Sequence, residues 1–189
     1  MIFDEEIFSV RVLRDPKTKI KIREEWSMDG MLHCEDAPAV VTFDNETGRK
    51  ITEEWYQNGK SHKCQGPRAR EFDLATGRVT CENWGQNGQE HRVGNPSYLE
   101  FHPDSGKTVR EEWREFGLLN RLDGPAVVVV DSISGVITLE EWYSNDNLHR
   151  LNGPALVARN EQTGNITLEQ YFKDGKLQNN LRQPPAQKP

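Results

Sequence analysis

Residues 68–88 of the chain read RAREFDLATGRVTCENWGQNG and contain two different turn signals on either side of one tryptophan, Trp84. The same arrangement recurs with a period of 29 residues, and every tryptophan falls on that period. A period held this strictly indicates one structural unit copied in tandem. The tryptophans are Trp26, Trp55, Trp84, Trp113 and Trp142, and Tyr171 takes the next place.

The first turn of the unit spans Asp73–Gly77, between two runs that read as β-strands. A side-chain acceptor opens the turn and a glycine closes it, which predicts a four- or five-residue hairpin loop built on a type I turn. The opening copy, Asp15–Lys19, lacks the glycine. In the later copies the closing residues are Gly48, Gly77, Gly106, Gly135 and Gly164.

The second turn, Asn87-Gly88, predicts a two-residue type I′ connection. Counting outward from it places Trp84 opposite His91, and Glu82 lies two residues before Trp84 and so on the same face of its strand. The same count holds in every unit. The histidine position holds His33, His62, His91, Asn120, His149 and Gln178, and the glutamate position holds Glu24, Glu53, Glu82, Glu111, Glu140 and Glu169.

Each unit therefore reads strand, turn, strand, turn, and each strand should pair with its neighbour in sequence. The expected fold is all-β: an elongated, curved, single-layer meander of about twelve strands. A Gly-Pro step such as Gly66-Pro67 should interrupt its strand with a bulge or bend. The array is predicted over residues 1–181, followed by a disordered Pro-rich tail, 182–189; the hairpins are expected at about 10–26, 39–55, 68–84, 97–113, 126–142 and 155–171.

Composition excludes several classes of function. The net charge is −6 with both signs interleaved, so no basic face is available for nucleic acid or for an anionic membrane. No apolar stretch is long enough to be inserted in a membrane, and the first residues do not resemble a signal peptide. Cys34, Cys64 and Cys81 form no paired framework and predict reduced thiols in a cytoplasmic protein.

The string Glu54–His62, EWYQNGKSH, resembles the centre of the MORN repeat, whose units read roughly E-W-x-N-G-K-x-H-G-x-G. Similar strings begin at Glu25 and Glu141. MORN units are shorter than the 29-residue period of this chain, which therefore looks more like a long MORN variant. The resemblance implies a single-layer meander of hairpins and a scaffold that dimerises or holds protein partners. It assigns no activity to particular residues.

The Trp/His/Glu face has two interpretations. In the first it is a packing row, in which each tryptophan covers its cross-strand histidine. In the second it binds a linear polymer such as a glycan, because equivalent rings recur about every 9.5 Å. Repetition of the same groups in every unit argues against an enzyme, for which one unique constellation is expected. Neighbouring ligands such as His62 and Cys64 favour neither a metal site nor a cofactor.

Variation among the units indicates a second surface. The stretch Val127–Val130 is apolar on both faces of its strand, unlike Arg68–Glu71 in the same place. It is either covered by neighbouring strands or part of a partner surface. The candidate partner patch comprises Val127, Val128, Val129, Val130, Leu156 and Val157. The function expected from the whole sequence is a non-enzymatic scaffold that binds a protein partner or forms a homodimer, with glycan binding as the alternative.

Overall fold

The computed structural model describes residues 7–178, which contain β-strands, turns and bends and no helix. The predicted disordered tail, 182–189, lies outside the described residues. In chain order the strands are β1 (Phe8–Arg14), β2 (Lys21–Met28), β3 (Met31–Leu32), β4 (Val40–Phe43), β5 (Lys50–Glu54), β6 (Tyr56–Gln57), β7 (Lys60–Ser61), β8 (Ala69–Phe72), β9 (Val79–Asn83), β10 (Gly85–Gln86), β11 (Gln89–Glu90), β12 (Tyr98–Phe101), β13 (Thr108–Glu112), β14 (Arg114–Glu115), β15 (Leu118–Leu119), β16 (Val127–Val130), β17 (Ile137–Glu141), β18 (Tyr143–Ser144), β19 (Asn147–Leu148), β20 (Leu156–Arg159), β21 (Ile166–Gln170), β22 (Phe172–Lys173) and β23 (Lys176–Leu177).

The main sheet is an antiparallel meander, as predicted. Twelve of its thirteen strands follow the order β1-β2-β4-β5-β8-β9-β12-β13-β16-β17-β20-β21, so each long strand pairs with the next long strand along the chain, and the short β3 pairs with β2 alone. β1 and β21 are the two open edges. The register places each glutamate of the predicted row opposite the second residue of the neighbouring strands; Glu53, for example, lies between Val41 and Arg70.

The long turns have the predicted chemistry. At Asp44–Gly48, the Gly48 N–H donates to the Asp44 carbonyl (2.9 Å), and Gly48 has a φ of 70°. The Asp44 carboxylate accepts from the Thr47 N–H at 2.8 Å. In the opening copy, which lacks the glycine, Lys19 adopts the left-handed conformation instead, with a φ of 62°.

The second turn differs from the expected arrangement. It does not join two strands of the main sheet directly, because in five units the main strand ends before Trp or Tyr171 and a separate two-stranded hairpin follows. Within that short hairpin the prediction is confirmed: Asn58 and Gly59 have φ values of 48° and 75°, as a type I′ turn requires. The His62 N–H donates to the Trp55 carbonyl at 2.9 Å, which matches the predicted pairing.

The short hairpins form a second hydrogen-bonded row beside the main sheet. The Gly59 N–H donates to the Leu32 carbonyl of the preceding unit at 2.9 Å, and the Gly88 N–H donates to Ser61 at 2.9 Å. Equivalent bonds continue through Gly117, Asp146 and Gly175. Successive units are therefore joined twice, once in the main sheet and once through their short hairpins.

The core is thin and lies where the two rows meet. Each connection bends near a proline, which follows glycine in three of the five connections. As predicted for Gly66-Pro67, the step interrupts the strand: Pro67 is buried, and β8 starts only at Ala69. The residue after the proline is usually small and fully buried, as at Ala39, Ala126 and Ala155.

The long turns predict a pH dependence of stability. Hydrogen bonds from the residue three positions on, through its N–H and its hydroxyl, lower the pKa of the opening aspartates Asp15, Asp44, Asp73 and Asp131. A lowered folded-state pKa contributes stability above the unfolded value of about 4, and this contribution is lost as the pH falls through the folded pKa. Asn160 makes the same backbone contact without titrating.

We therefore expect a variant with asparagine at those four aspartates to be less stable than the natural chain at neutral pH. The difference should shrink as the pH falls from about 4 through the lowered folded-state pKa of the aspartates, below which both side chains are neutral. Thermal unfolding followed by circular dichroism across this range measures it. A difference that stays constant down to acid pH would contradict a role for the ionised carboxylates.

Candidate functional site

The tryptophans lie at the point where each unit passes from the main sheet into its short hairpin. The backbone N–H of Trp55 donates to the Arg68 carbonyl at 2.8 Å, and the same bond closes the connection at the other four tryptophans. Trp55 is buried, Trp26 is the most exposed, and the others are half-buried. The row therefore marks a structural junction in every unit.

A basic side chain covers four of the five indole rings. The cation comes from the residue directly after the histidine position and lies 3.5–3.8 Å from the ring centroid, a cation–π geometry. Trp26 is the exception, because Cys34 takes that position in the first unit. The pairs are Lys63 on Trp55, Arg92 on Trp84, Arg121 on Trp113 and Arg150 on Trp142.

The arginines are also fixed at their far end. Arg92 donates to the Pro96 carbonyl at 3.2 Å, and Arg121 and Arg150 make the same bond to the proline of their own loops. Burial lowers the pKa of Lys63 and of Arg92. Each of these three guanidinium groups thus connects its tryptophan to the proline bend of the same loop.

The glutamates share a face with the tryptophans, as predicted. The Trp26 indole N–H donates to Glu24 at 2.9 Å, and Trp84 donates to Glu82 at 3.3 Å. The bonds from Lys21 and Trp26 lower the pKa of Glu24 despite its partial burial. Glu53 bonds to Lys50, and Glu140 lies 2.6 Å from Arg159. The carboxylates are held by neighbouring cations and indoles.

The histidine position has a role that the sequence did not indicate. Its ring contacts the turn of the next unit through Nδ1. His33 Nδ1 lies 3.2 Å from the Asn58 backbone nitrogen and 3.0 Å from Asn58 Oδ1, and His149 Nδ1 lies 3.2 Å from the Asp174 backbone nitrogen and 2.8 Å from Asp174 Oδ1. Asn120 makes the equivalent contact with its amide oxygen. His91 makes it more loosely, at 3.4 Å from the Phe116 N–H. These side chains connect one unit to the next.

His62 differs from the others. Its Nε2 lies 3.3 Å from Cys64 Sγ, and its Nδ1 is buried without a hydrogen-bond partner among the described residues. Within residues 7–178, no three side chains among His, Cys, Asp and Glu come together as a candidate metal site. Because Cys64 is exposed, the His62–Cys64 contact lies at the surface.

The predicted partner patch is divided between the two faces of the sheet. Val127 and Val157 are 1% and 4% exposed, so neither side chain is accessible to a partner. Val128, Val129, Val130 and Leu156 are half-buried. What remains accessible is a few side chains in the middle of the sheet.

Three of the four most exposed large apolar side chains among the described residues lie elsewhere, in the loops that lead to the proline bends; the fourth, Ile133, lies in a long turn. Val93, Leu122 and Leu151 are 82%, 95% and 73% exposed, and they occupy the same position in three consecutive units. Each directly follows the arginine that covers a tryptophan. We call the five loops the loop row; they comprise residues 34–38, 63–67, 92–96, 121–125 and 150–154.

Clefts open between successive loops of this row. One cleft of about 400 Å³ lies between the third and fourth loops, with Trp113 in its lining and Val93 and Leu122 on its two sides. A similar cleft of about 300 Å³ lies between the first and second loops, around Trp55. The loop row therefore presents apolar side chains separated by recesses.

The junction between the second and third units departs from the repeat. Arg68 stands where other units have a small residue, and its guanidinium donates to Asn83 at 2.6 Å. Gly85 stands where Tyr56 and Tyr143 occur, and a Cβ there would lie 2.9 Å from Arg68 Nε and 2.2 Å from the Gln89 carbonyl oxygen. The large residue at one position and the glycine at the other are complementary.

A cleft of about 360 Å³ opens beside this junction, lined by Tyr56, Cys81 and Tyr98 among others. Burial raises the pKa of Cys81 to about 11, and burial together with the nearby thiol raises the pKa of Tyr98. Both groups are therefore neutral at pH 7. A neutral thiol is a poor nucleophile.

The stacked arginines and the exposed apolar side chains of the loop row are both visible in the sequence as periodic positions. Arg92, Arg121 and Arg150 follow the same period of 29 residues, and so do Val93, Leu122 and Leu151. The period locates both rows. The period does not show that the arginines stack on indole rings or that the apolar residues after them are exposed. Both outcomes depend on how the loops fold back onto the sheet.

Comparison with known proteins adds no further assignment: the chain matches no protein-family model, no curated protein and no solved structure. The MORN-like resemblance therefore stays a prediction from the repeat motif. Among the described residues there is also no helix that could cross a membrane.

The stacked pairs predict a measurable coupling. Trp84→Leu and Arg92→Met, made singly and together, should show a coupling free energy of about 0.5–1 kcal/mol in denaturant unfolding. Trp26→Leu with Cys34→Met is the matched control and should show almost none, since no cation lies on Trp26. Equal coupling in the two cycles would contradict a cation–π contribution.

At the junction between the second and third units, the stability of the chain should be unusually sensitive to the addition of one methyl group at Gly85. Gly85→Ala should destabilise the chain by about 1–3 kcal/mol, because the new Cβ meets a backbone carbonyl oxygen that has little freedom to move. Gly77→Ala is the control: its Cβ meets nothing, and only the left-handed backbone costs about 1 kcal/mol. If Gly85→Ala is the milder of the two in urea unfolding, the steric argument is wrong.

Proposed function

We propose that this chain is a non-enzymatic scaffold that binds a protein partner through the loop row. The observation that carries the proposal is the exposure of Val93, Leu122 and Leu151, at one position in three consecutive units. Single exposed apolar residues are common on protein surfaces. A periodic row of them, which contributes nothing to the core, is better explained by binding.

The surroundings of the row support a protein as the partner. Protein interfaces combine apolar centres with polar rims and are enriched in arginine and aromatic residues. In the fourth loop, Leu122 stands between Arg121, which is stacked on Trp113, and Asp123, which lies 3.0 Å from Arg121. The arginine is already ordered before a partner arrives, so little side-chain entropy is lost on binding.

Several observations disfavour an enzyme. The Trp, Glu and His groups recur in unit after unit, and most of them make contacts within or between units; His62 is an exception. The one cleft with an unusual residue set contains Cys81 and Tyr98, whose raised pKa values keep them protonated at pH 7. General acid–base catalysis requires groups whose pKa lies near the working pH.

The alternative function, binding of a linear polymer such as a glycan, requires open indole faces on which sugar rings can stack. In four units a cation occupies one face of the indole. A polymer would have to displace a guanidinium that also bonds to a proline carbonyl in three of these units. We therefore favour the protein scaffold, acting in the cytoplasm, where the three free thiols would stay reduced.

The test compares two single substitutions with the same change of charge. Leu122→Lys places a cation in the loop row, whereas Ile133→Lys places one in a long turn, at a side chain that is also 91% exposed. Proteins captured from extracts of the source cell should be retained by Ile133→Lys and lost with Leu122→Lys. Adding Val93→Lys and Leu151→Lys should remove any that remain.

Both variants should unfold at the same temperature as the natural chain, because neither residue packs in the core. If the same proteins are captured by the natural chain and by all variants, the loop row is not the binding surface. A chain that captures no protein under any condition would overturn the scaffold proposal.

A further inference from the structure

The first strand, β1, is an unusually open sheet edge. It has seven residues, against four in every later outgoing strand, and its side chains are almost all exposed. Phe8, Val10 and Val12 are 58%, 47% and 41% exposed and lie on the same face of the strand. A long apolar edge strand is a template for pairing with another chain.

The backbone hydrogen bonds show which residues of β1 offer free groups. The Asp29 N–H donates to the Ile7 carbonyl, while the Trp26 N–H points away from β1 toward Ala39. Since Val10 lies opposite Trp26, the odd residues of β1 bond to β2 and the even residues point outward. The outward N–H and C=O groups belong to Phe8, Val10 and Val12, and within residues 7–178 no other strand pairs with them.

We propose that two copies of this chain pair through β1, antiparallel and two-fold symmetric about Val10, to form one continuous sheet. In this register Val10 faces Val10 of the second copy, and Phe8 faces Val12. All three are positions whose backbone groups point outward, so every pair exchanges hydrogen bonds. The apolar side chains form a single stripe across the interface.

Charge selects this register among its neighbours. Centring the pair on Arg11 would place two Arg11 side chains, each 70% exposed, directly opposite one another. Centring it on Val10 places Arg11 opposite Ser9 instead. Centring it on Ser9 would pair Ile7 with Arg11 and leave Val12 uncovered.

The structure favours this symmetric contact over a head-to-tail one. In the interior of the array, the return strand of each short hairpin bonds to the next unit, as Leu32 does to Gly59. The turn of the first unit has no preceding short hairpin. Its Asp29 N–H donates instead to the carbonyl of Ile7, directly before β1. In a head-to-tail contact, the last short hairpin of another copy would need the position beside Asp29 that Ile7 already occupies. Head-to-tail extension of the array at this end is therefore disfavoured.

The inference extends the proposed scaffold by naming a second copy as a partner, on a surface separate from the loop row. Its test therefore uses the purified full-length chain alone. Light scattering across a dilution series should give the mass of two chains at high concentration. Val10→Pro removes an outward N–H while leaving the bonds to β2, and it should raise the dimer dissociation constant about tenfold or more.

Leu122→Lys is the control and should leave the dimer unchanged, which also separates this inference from the loop-row proposal. A natural chain that stays monomeric at every concentration would overturn the inference. So would a dimer that is unaffected by Val10→Pro, since it would use another surface.

Cysteine pairing tests the register, in a chain with Cys34→Ser and Cys64→Ser. Ser9 and the second copy's Arg11 form a pair without hydrogen bonds, with Cα atoms about 4.5 Å apart, close enough for a disulfide. A mixture of Ser9→Cys and Arg11→Cys chains should therefore cross-link under mild oxidation. Rapid cross-linking of Arg11→Cys alone would show that the strands are centred on Arg11, and the proposed register would be wrong.

Discussion

The fold depends on one backbone hydrogen bond, from the N–H of each tryptophan to the carbonyl of the residue after the proline of the next connection. Its length is 2.6–2.8 Å at all five tryptophans. This bond closes a connection that would otherwise hold the long strands apart, so that strands such as β5 and β8 can pair. One such bond contributes about 1 kcal/mol, but the array uses it at every connection. The tryptophan, the small residue after proline and the stacked arginine all surround it.

The closed connection explains why so polar a chain has an ordered fold. Each short hairpin folds beside the main sheet and bonds to the next unit through Gly59, Gly88 and their equivalents. The histidine position adds a side-chain bond between the same units. Stability in such an array comes from interfaces between neighbours rather than from one central core. The few fully buried residues, such as Val40 and Ala126, lie near the joints between the two rows.

The same architecture separates structural positions from variable ones. The tryptophans, the glutamates and the stacked cations make contacts mainly within their own unit. Most of the side chains at the histidine position make contacts with the next unit. The exposed residues of the loop row and of β1 take part in neither set of contacts. The proposed functions are assigned to these two surfaces because their apolar side chains are largely exposed, although Phe8 also meets the His33 ring edge-on, with ring centroids 6.4 Å apart.

The period of 29 residues was enough to predict the hairpins, the two turn types and the Trp–His pairing, because turn chemistry is local and a fixed period repeats it. The sequence did not show that the Asn-Gly turn belongs to a separate short hairpin. The strand could have continued through Trp55, but the Trp55 N–H donates instead to the Arg68 carbonyl. This choice depends on a contact between residues that are separated in sequence.

The sequence by itself thus determined an all-β tandem array with a tryptophan, a histidine and a glutamate in defined places. Only the tertiary structure decided what each does: Arg92 stacks on Trp84, His33 caps the turn at Asn58, and Val127 is buried while Leu122 is exposed. The physical reason is that these outcomes depend on how the loops return to the sheet and on contacts between units. The spacing of residues shows where such contacts recur along the chain, but not which side chains meet or which are exposed.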